Sequence, residues 1–208
     1  MAGKSLSEPV QHNSLGLEAL LQRLQGVETC SILELGPVRS GNIAFWSQFN
    51  PFIYVADLRS SLPLLTAVSE NTEGAEAEET DWNQLLGLPE GRRYDIILAW
   101  DLLNYLDLPS VSALIRHLGC FCKPGATLFT LIFDQKEMPE DITVYRILDA
   151  SHLGYEFGRS KMRICPRHQP RSLASVMRQF RVANSFRLRN GIGEYLFVYE
   201  GESPAAVA

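Results

Sequence analysis

Residues 31–42 read SILELGPVRSGN, and the rest of the chain can be interpreted outwards from this stretch. An apolar run leads into an acid, Glu34, which is followed by Gly36-Pro37 and, after a gap, by Gly41. A strand that ends in an acid and a glycine turn typically holds a nucleotide-like cofactor, because glycine lets backbone amides approach a ligand closely. The closely spaced second and third glycines of such loops are missing here. The stretch is therefore either a working cofactor loop or the remnant of one.

Apolar strands alternate with helices along most of the chain. Leu17, Leu20, Leu21 and Leu24 recur at helical spacing and give a helix one apolar face. Such patterns predict helices over 15–25, 41–49, 58–70, 109–122 and 170–180, strands over 31–35, 52–56, 94–100 and 126–133, and a hairpin over 181–200. Residues 71–88 show no clear strand pattern. The alternation indicates an α/β fold with a mostly parallel sheet that is covered on both faces, to which the hairpin adds an antiparallel element.

The length of 208 residues suffices for one sizeable hydrophobic core, so we predict a single domain over residues 15–200. Residues 1–14 and 201–208 lack apolar patterns and are expected to be flexible ends. Residues 134–170 form a long, mixed connection without a clear period.

The net charge of −5 hides an uneven distribution of charged residues. Residues 157–193 contain no Asp or Glu and carry nine basic residues: Arg159, Lys161, Arg163, Arg167, Arg171, Arg178, Arg181, Arg187 and Arg189. This basic segment is either a solvated surface or a region that attracts an anionic substrate or partner. A nucleic-acid partner is not expected, because the overall pI is about 5.4 and no motif for binding DNA or RNA is present.

The sequence also favours a cytoplasmic location. It contains no apolar run of about 20 residues that could cross a bilayer, and its first residues, MAGKSLSEPV, have no apolar core typical of a signal peptide. The four cysteines form no CxxC pair, and Cys120 and Cys122 are expected to be small buried residues rather than metal ligands. No metal site is predicted.

Four local markers occur in the order known from one family. LELGP, VADL, YDIILAWDLLNYL and CKPGATLFTLI together resemble the class I S-adenosylmethionine (SAM)-dependent methyltransferases, over nearly the whole chain. The resemblance implies a Rossmann-like, doubly wound, mostly parallel seven-stranded sheet with a C-terminal antiparallel hairpin. It also implies SAM as the cofactor and a small-molecule methyl acceptor.

In this family, the acid that matches Glu34 helps to hold the region around the amino group of the cofactor, and Gly36 is the glycine of the tight turn. Pro37 and Gly41 belong to the same loop, but Val38 and Ser40 stand where the family usually has its second and third glycines. The resemblance therefore implies a functional but divergent loop.

Asp57 follows the second strand, 23 residues after Glu34, and Leu58 comes next. An acid at this spacing and at a strand end binds the hydroxyl groups of a ribose. The alternative is that Asp57 caps the helix that follows it. The two roles are compatible, and we favour the ribose role.

Two further pairs of residues match positions around the cofactor of the family. Asp81-Trp82 falls where an acid and an aromatic residue contact adenine, although a capping Asp followed by a core Trp explains the pair equally well. Trp100-Asp101 stands at the end of the strand 94–100, the fourth strand in the order of the family, where methyl donor and acceptor meet. Asn104 and Tyr105 follow on the next turn and are candidate substrate contacts.

The acceptor is expected to bind in the connection 134–170, where this fold commonly builds its substrate pocket or lid. Tyr145, His152 and Tyr155 lie there and suit an anionic or aromatic small molecule. Candidates for a general base are Asp101, Tyr105, His152 and His168, and none of them is assigned. The Asn-Pro-Pro-Tyr type of motif is absent, which disfavours amino-group methylation on DNA bases or protein glutamine.

Three hypotheses follow from the sequence. The first is a SAM-dependent methyltransferase with a small-molecule acceptor. The second is a non-catalytic protein with a methyltransferase fold that binds a ligand or a protein partner, which the altered glycine loop would explain. The third, an oxidoreductase that uses a nicotinamide nucleotide, is disfavoured because no GxGxxG motif is present.

Overall fold

The computed structural model describes residues 10–58, 61, 80–156 and 161–201. Its strands are β1 (Val10–Asn13), β2 (Ser31–Glu34), β3 (Phe52–Val55), β4 (Tyr94–Trp100), β5 (Cys122–Phe133), β6 (Glu137–Pro139), β7 (Val144–Ile147), β8 (His152–Glu156), β9 (Met162–Ile164), β10 (Phe180–Arg187) and β11 (Ile192–Tyr199). Its helices are α1 (Leu15–Arg23), α2 (Ser40–Trp46), α3 (Trp82–Leu86), α4 (Leu108–Gly119) and α5 (Pro170–Val176). Two short 3₁₀ helices cover Ser47–Phe49 and Leu102–Tyr105.

The central sheet has the strand order β10-β11-β5-β4-β2-β3 in the described part of the chain. Strands β3, β2, β4 and β5 are parallel to their neighbours, whereas β11 is antiparallel to both β5 and β10. The sheet is therefore mixed, and the predicted terminal hairpin is its antiparallel part. The chain passes from β2 to β3 on one side and then returns to β4 on the other side of β2. This reversal of direction places the switch point of the sheet at the carboxyl ends of β2 and β4.

The sequence explains why these elements form where they do. The apolar run of β4 is buried on both faces, as in a strand at the centre of a parallel sheet. Helix α1 begins after Ser14, whose hydroxyl accepts a hydrogen bond from the Leu17 N–H at 3.1 Å. Helix α4 begins after Asp107, whose carboxylate accepts from the Ser110 N–H at 2.8 Å, with a proline in the first turn.

The predicted parallel strands and most helices agree with the structure within a few residues. The described part of the central sheet contains six strands, not the seven implied by the resemblance. Half of 71–88, where no strand pattern was found, and nearly all of the predicted helix 58–70 lie outside the described residues. The number seven therefore stays a prediction.

One sequence-based expectation about a segment was wrong, and another segment has more regular structure than its sequence indicated. Residues 10–13 were expected to belong to a flexible N-terminus, but they form β1 and pair with β8. The connection 134–170, in which the sequence showed no clear period, contains β6 to β9. These strands build two small sheets, with the orders β1-β8-β7 and β6-β9.

One further detail differs from expectation. Cys122 is buried as predicted, whereas Cys120 is exposed. Among the described residues, no three His, Cys, Asp or Glu side chains lie close enough together to hold a metal ion. No helix in the described ranges is both long and apolar enough to cross a membrane.

Candidate functional site

Glu34 and Asp57 lie side by side at the carboxyl edge of the central sheet. Glu34 ends β2, and its carbonyl accepts a hydrogen bond from the Ala56 N–H at 2.8 Å. The Leu58 N–H donates to the Leu35 carbonyl at 3.2 Å, so Asp57 is held between two bonds that join neighbouring chain segments. Asp57 is exposed and Leu58 is buried. The structure therefore brings the two predicted acids together at the switch point of the sheet.

The carboxyl group of Glu34 is buried and accepts two hydrogen bonds from neighbouring residues. Its Oε1 accepts from the Gly36 N–H at 3.1 Å and from Trp100 Nε1–H at 2.5 Å. Burial raises the pKa of Glu34 to about 8, although the hydrogen bonds from Gly36 and Trp100 oppose the shift. Burial therefore favours the neutral form of the Glu34 carboxyl group.

Trp100 fills the space above the glycine turn. A Cβ atom at Gly36 would lie only 3.0 Å from Trp100 Cδ1, so the missing side chain of Gly36 makes room for the indole. The indole stacks on the ring of Tyr145 with a centroid distance of 5.3 Å and an interplanar angle of 9°. Trp100 has a backbone φ of 44°, which is uncommon for a residue with a side chain. Trp100 is 2% exposed, and the structure uses it as packing at the loop rather than as an open site residue.

Asp101, the residue after Trp100, is fully buried. Its Oδ2 accepts from the Thr143 N–H at 3.0 Å and lies 3.5 Å from the hydroxyl of Tyr105. The Tyr105 hydroxyl in turn donates to the Asp141 carbonyl at 2.6 Å. Burial raises the pKa of Asp101 to about 7, which the hydrogen bonds from Thr143 partly offset. Asp101 and Tyr105 thus tie the residues that precede β7 to the end of β4.

Two other predicted site residues have structural roles in this conformation. Asn104 Nδ2 donates to the Leu131 carbonyl at 2.8 Å, and its Oδ1 accepts from the Phe133 N–H at 2.8 Å. Asn104 is 1% exposed, so its predicted contact with a substrate does not fit this structure. His168 Nε2 lies 3.0 Å from the Leu103 carbonyl and 2.9 Å from that of Leu106. His168 therefore fixes the turn after β4 instead of standing free as a base.

Asp81 and Trp82 adopt the structural alternative that the sequence had left open. The Asp81 carboxylate caps α3 by accepting from the Gln84 N–H at 3.1 Å. Trp82 is buried in the core. Their contact with adenine stays a prediction.

The three candidate acceptor residues differ in how accessible they are. Tyr145 and Tyr155 are buried and lie against each other, with ring centroids 5.6 Å apart. In this structure they form an aromatic cluster with Trp100, and their contact with a substrate stays a prediction. His152 keeps a side chain that is 45% exposed and pairs with Asp149 at 3.0 Å. Of the three, His152 alone presents a substantial exposed surface.

Sequence reasoning missed two buried polar residues that hold the site region together. Asn42 Nδ2 donates to the Tyr145 carbonyl at 3.1 Å, and Asn42 Oδ1 accepts from the Ile147 N–H at 2.9 Å. Glu194 accepts from the Gly16 N–H at 2.7 Å and lies 3.0 Å from His12 Nε2. A single acid within the apolar run IGEYLFVY was the available signal for Glu194. The sequence offered no comparable signal for Asn42.

The fold of the chain is similar to that of known proteins, although its sequence is not. No protein-family model and no curated protein matches the sequence. Solved structures do match the fold, however. A SAM-dependent methyltransferase from Clostridium acetobutylicum is similar with a TM-score of 0.52 at 10% identity, over 91% of this chain and 93% of that chain.

Two further solved structures are similar over most of their length. The CcbJ methyltransferase from Streptomyces caelestis gives a TM-score of 0.50 at 15% identity, over 88% of this chain and 89% of that chain. The PH0226 protein from Pyrococcus horikoshii gives 0.50 at 11% identity, over 88% of each chain. The chain therefore has the Rossmann-like α/β fold of SAM-dependent methyltransferases.

Proposed function

We propose that this protein is a SAM-dependent methyltransferase with an anionic or aromatic small molecule as its acceptor. The observation that carries the proposal is that Glu34 and Asp57 lie close together at the switch point of a methyltransferase fold. Ligands of open α/β sheets bind at this edge. Further support comes from the fold, which the chain shares with proteins described as methyltransferases. A cytoplasmic location and the absence of a nucleic-acid partner remain predictions.

The residues fit the nucleoside end of SAM. Asp57 is exposed at the end of β3, where a carboxylate can accept hydrogen bonds from two ribose hydroxyls. Gly41 is also exposed, and a Cβ atom there would meet nothing within 4 Å. SAM itself supplies an activated methyl group, so the protein has to orient the acceptor and exclude water.

The residues do not fit the amino-acid end of SAM in this conformation. The Trp100 indole covers Gly36 and donates to the Glu34 carboxyl group, which the resemblance places near the amino group of the cofactor. A cofactor in the expected place would require the Trp100 indole to break its hydrogen bond to Glu34 and to move away from the ring of Tyr145. We therefore derive no step of methyl transfer from this geometry.

The position of Trp100 favours a second candidate function. In a methyltransferase fold, a tryptophan that fills the cofactor loop blocks the cofactor. Such a protein could instead bind another ligand or a protein partner without catalysis. The two candidates differ in one measurable respect. A methyltransferase binds SAM in the wild-type chain, whereas a closed, non-catalytic protein binds it only after Trp100 is shortened.

Calorimetric titration with SAM, its demethylated product and NAD tests both candidates. For a methyltransferase, we expect the wild type to bind SAM, and Asp57→Ala to weaken binding by about tenfold or more through lost hydrogen bonds to a charged group. Glu28→Ala removes an exposed carboxylate that precedes β2, at the opposite end of that strand from Glu34, and should leave the affinity unchanged. Equal affinity in wild type and Asp57→Ala would remove Asp57 from the ribose role.

Two substitutions of Trp100 separate the candidates. Trp100→Phe keeps a ring on Tyr145 but removes the N–H that binds Glu34, and Trp100→Ala empties the space. If SAM binds only to these variants, the non-catalytic candidate is supported. If circular dichroism shows that wild type and Trp100→Phe are folded and neither binds SAM at millimolar concentration, both the cofactor and the proposed activity are excluded.

A further inference from the structure

A cavity of about 380 Å³ lies between the β10–β11 hairpin and residues 168–170 at the start of α5. Its volume falls in the range of small-molecule binding sites. One wall is a row across three strands, in which Ile132 pairs with Gly193 and Gly193 pairs with Arg187. Ser185 and Tyr195 pair in the next row that points to the same face. None of the residues assigned to the cofactor site lines this cavity.

Gly193 shapes the floor of the cavity. A Cβ atom at Gly193 would lie 2.8 Å from Tyr195 Cε2, so the missing side chain lets the tyrosine ring lean along its own strand. The floor at this position is therefore formed by the tyrosine ring, which lies over the backbone of Gly193. Such a surface suits a planar ring in a ligand.

The rim of the cavity is positively charged. Arg187 and Arg167 both form ion pairs with Asp134, and the Arg167 pair spans 3.0 Å. Two guanidinium groups and one carboxylate leave a net charge of +1. The Arg187 side chain is 78% exposed, so its guanidinium has room to turn towards an incoming anion. Both arginines belong to the acid-free stretch 157–193.

The wall opposite the hairpin is tied to the turn that follows β4. His168 lines the cavity and is held by the carbonyls of Leu103 and Leu106. This turn starts directly after Trp100 and Asp101. The cavity is therefore built onto the carboxyl side of the sheet, next to the turn that follows β4.

We propose that this cavity binds an anionic aromatic small molecule. The ring lies against Tyr195, and the anionic group pairs with Arg187. The identification of this ligand as the methyl acceptor rests on the proposed function, whereas its binding to the cavity does not.

Titration with 1-naphthyl phosphate tests the proposal on the full-length protein. We expect saturable binding to the wild type, with amide chemical shifts in NMR spectra that change most at Ser185 and Gly193. The neutral 1-naphthol and inorganic phosphate should each bind at least about tenfold more weakly, because each lacks one of the two contacts. If either binds as tightly as 1-naphthyl phosphate, the proposed combination of ring and anion is wrong.

Matched variants locate the site. Arg187→Gln should weaken 1-naphthyl phosphate binding by about tenfold, because a charge-assisted bond is lost. Arg189→Gln removes a nearby arginine outside the cavity lining and should bind like the wild type. Ser185→Phe fills the cavity from an exposed strand position and should abolish binding. Unchanged binding in Arg187→Gln or Ser185→Phe, or no binding to the wild type at millimolar concentration, overturns the proposal.

SAM titration is carried out separately, so that the two proposals can fail independently. Binding of 1-naphthyl phosphate without SAM binding leaves the cavity assigned and excludes the methyltransferase function. Binding of SAM without 1-naphthyl phosphate overturns the cavity assignment alone.

Discussion

At the scale of single residues, the missing side chain of Gly36 leaves a small volume at the end of β2. A ligand and the indole of Trp100 would compete for this volume. Gly36 was predicted from the sequence as the glycine of a cofactor turn, and the structure gives its missing side chain a second use. A glycine at this place accepts either a ligand or an indole. The loop sequence alone could not distinguish the two, because Trp100 lies 64 residues further along the chain.

Substitution of Gly36 tests this packing directly. A Cβ atom at Gly36 would lie 3.0 Å from Trp100 and 3.4 Å from Glu34 Oε1, so Gly36→Ala should lower the free energy of unfolding by about 1–3 kcal/mol. Gly41→Ala is the matched control, because a Cβ there meets nothing within 4 Å and alanine favours helix α2. Urea unfolding followed by tryptophan fluorescence measures both variants. Equal stability of Gly36→Ala and wild type would contradict the close contact.

Glu34 should make the stability of the protein depend on pH. Its pKa is about 8 in the fold and 4.5 as the unperturbed value, so the unfolded chain loses the proton first as the pH rises. The stabilisation is fully present below about pH 4.5 and is lost up to about pH 8, with a total on the order of a few kcal/mol. Asp101 acts in the same direction, with its pKa raised to about 7.

The measurement is the free energy of unfolding between about pH 5 and about pH 8. We expect it to fall with rising pH in the wild type and to fall less steeply in Glu34→Gln, whose neutral amide still accepts from Gly36 and Trp100. Glu28→Gln changes an exposed acid and should keep the slope of the wild type. A wild-type slope that survives in Glu34→Gln would mean that this carboxyl group is ionised in the folded protein.

At the scale of elements, Glu194 connects the last strand to the first helix. It is fully buried on β11 and binds the Gly16 N–H, one of the amide groups at the start of α1 that have no partner within the helix. It also reaches His12 on β1, so one side chain joins three elements. An acid at a helix N-terminus is additionally favoured by the helix dipole.

Loss of this acid should be costly. Glu194→Ala leaves a buried amide and His12 without their partner, and we expect a loss of about 2–4 kcal/mol in the free energy of unfolding. Glu200→Ala is the control, because Glu200 is 56% exposed and pairs with Arg181 at the surface. The control should change stability by less than about 1 kcal/mol. Urea denaturation of both variants gives the comparison, and equal losses would mean that Glu194 does not anchor α1.

At the scale of the whole molecule, the sequence predicted those parts whose signal is local. Strands β2, β4 and β5 are buried on both faces, so each appears as an apolar run in its own residues. The proximity of Glu34 and Asp57 followed from parallel strands that end at the same edge of the sheet.

The remaining features depend on contacts between distant residues. Strand β1 has mostly exposed residues and no alternating pattern, and it exists because β8 pairs with it. Trp100 is directed to Gly36 by its unusual φ and by the ring of Tyr145, 45 residues later. Neither arrangement produces a pattern in a short stretch of sequence. The packing of Trp100 against the cofactor loop could therefore not be predicted.

Asn42 joins the small β1-β8-β7 sheet to the main body of the protein, and it allows a test of how independent that sheet is. Both ends of its amide are bonded to β7, through Tyr145 and Ile147. In Asn42→Ala, we expect the amides of β7 to exchange hydrogen at least about tenfold faster, because two buried hydrogen bonds are lost. The amides of β4 should keep their wild-type protection, since β4 is held by β2 and β5. Asn83→Ala, at an exposed position of α3, is the control and should leave both strands unchanged. If β4 loses as much protection as β7, the two sheets unfold as one unit, and displacement of Tyr145 from Trp100 would then require the whole domain to open.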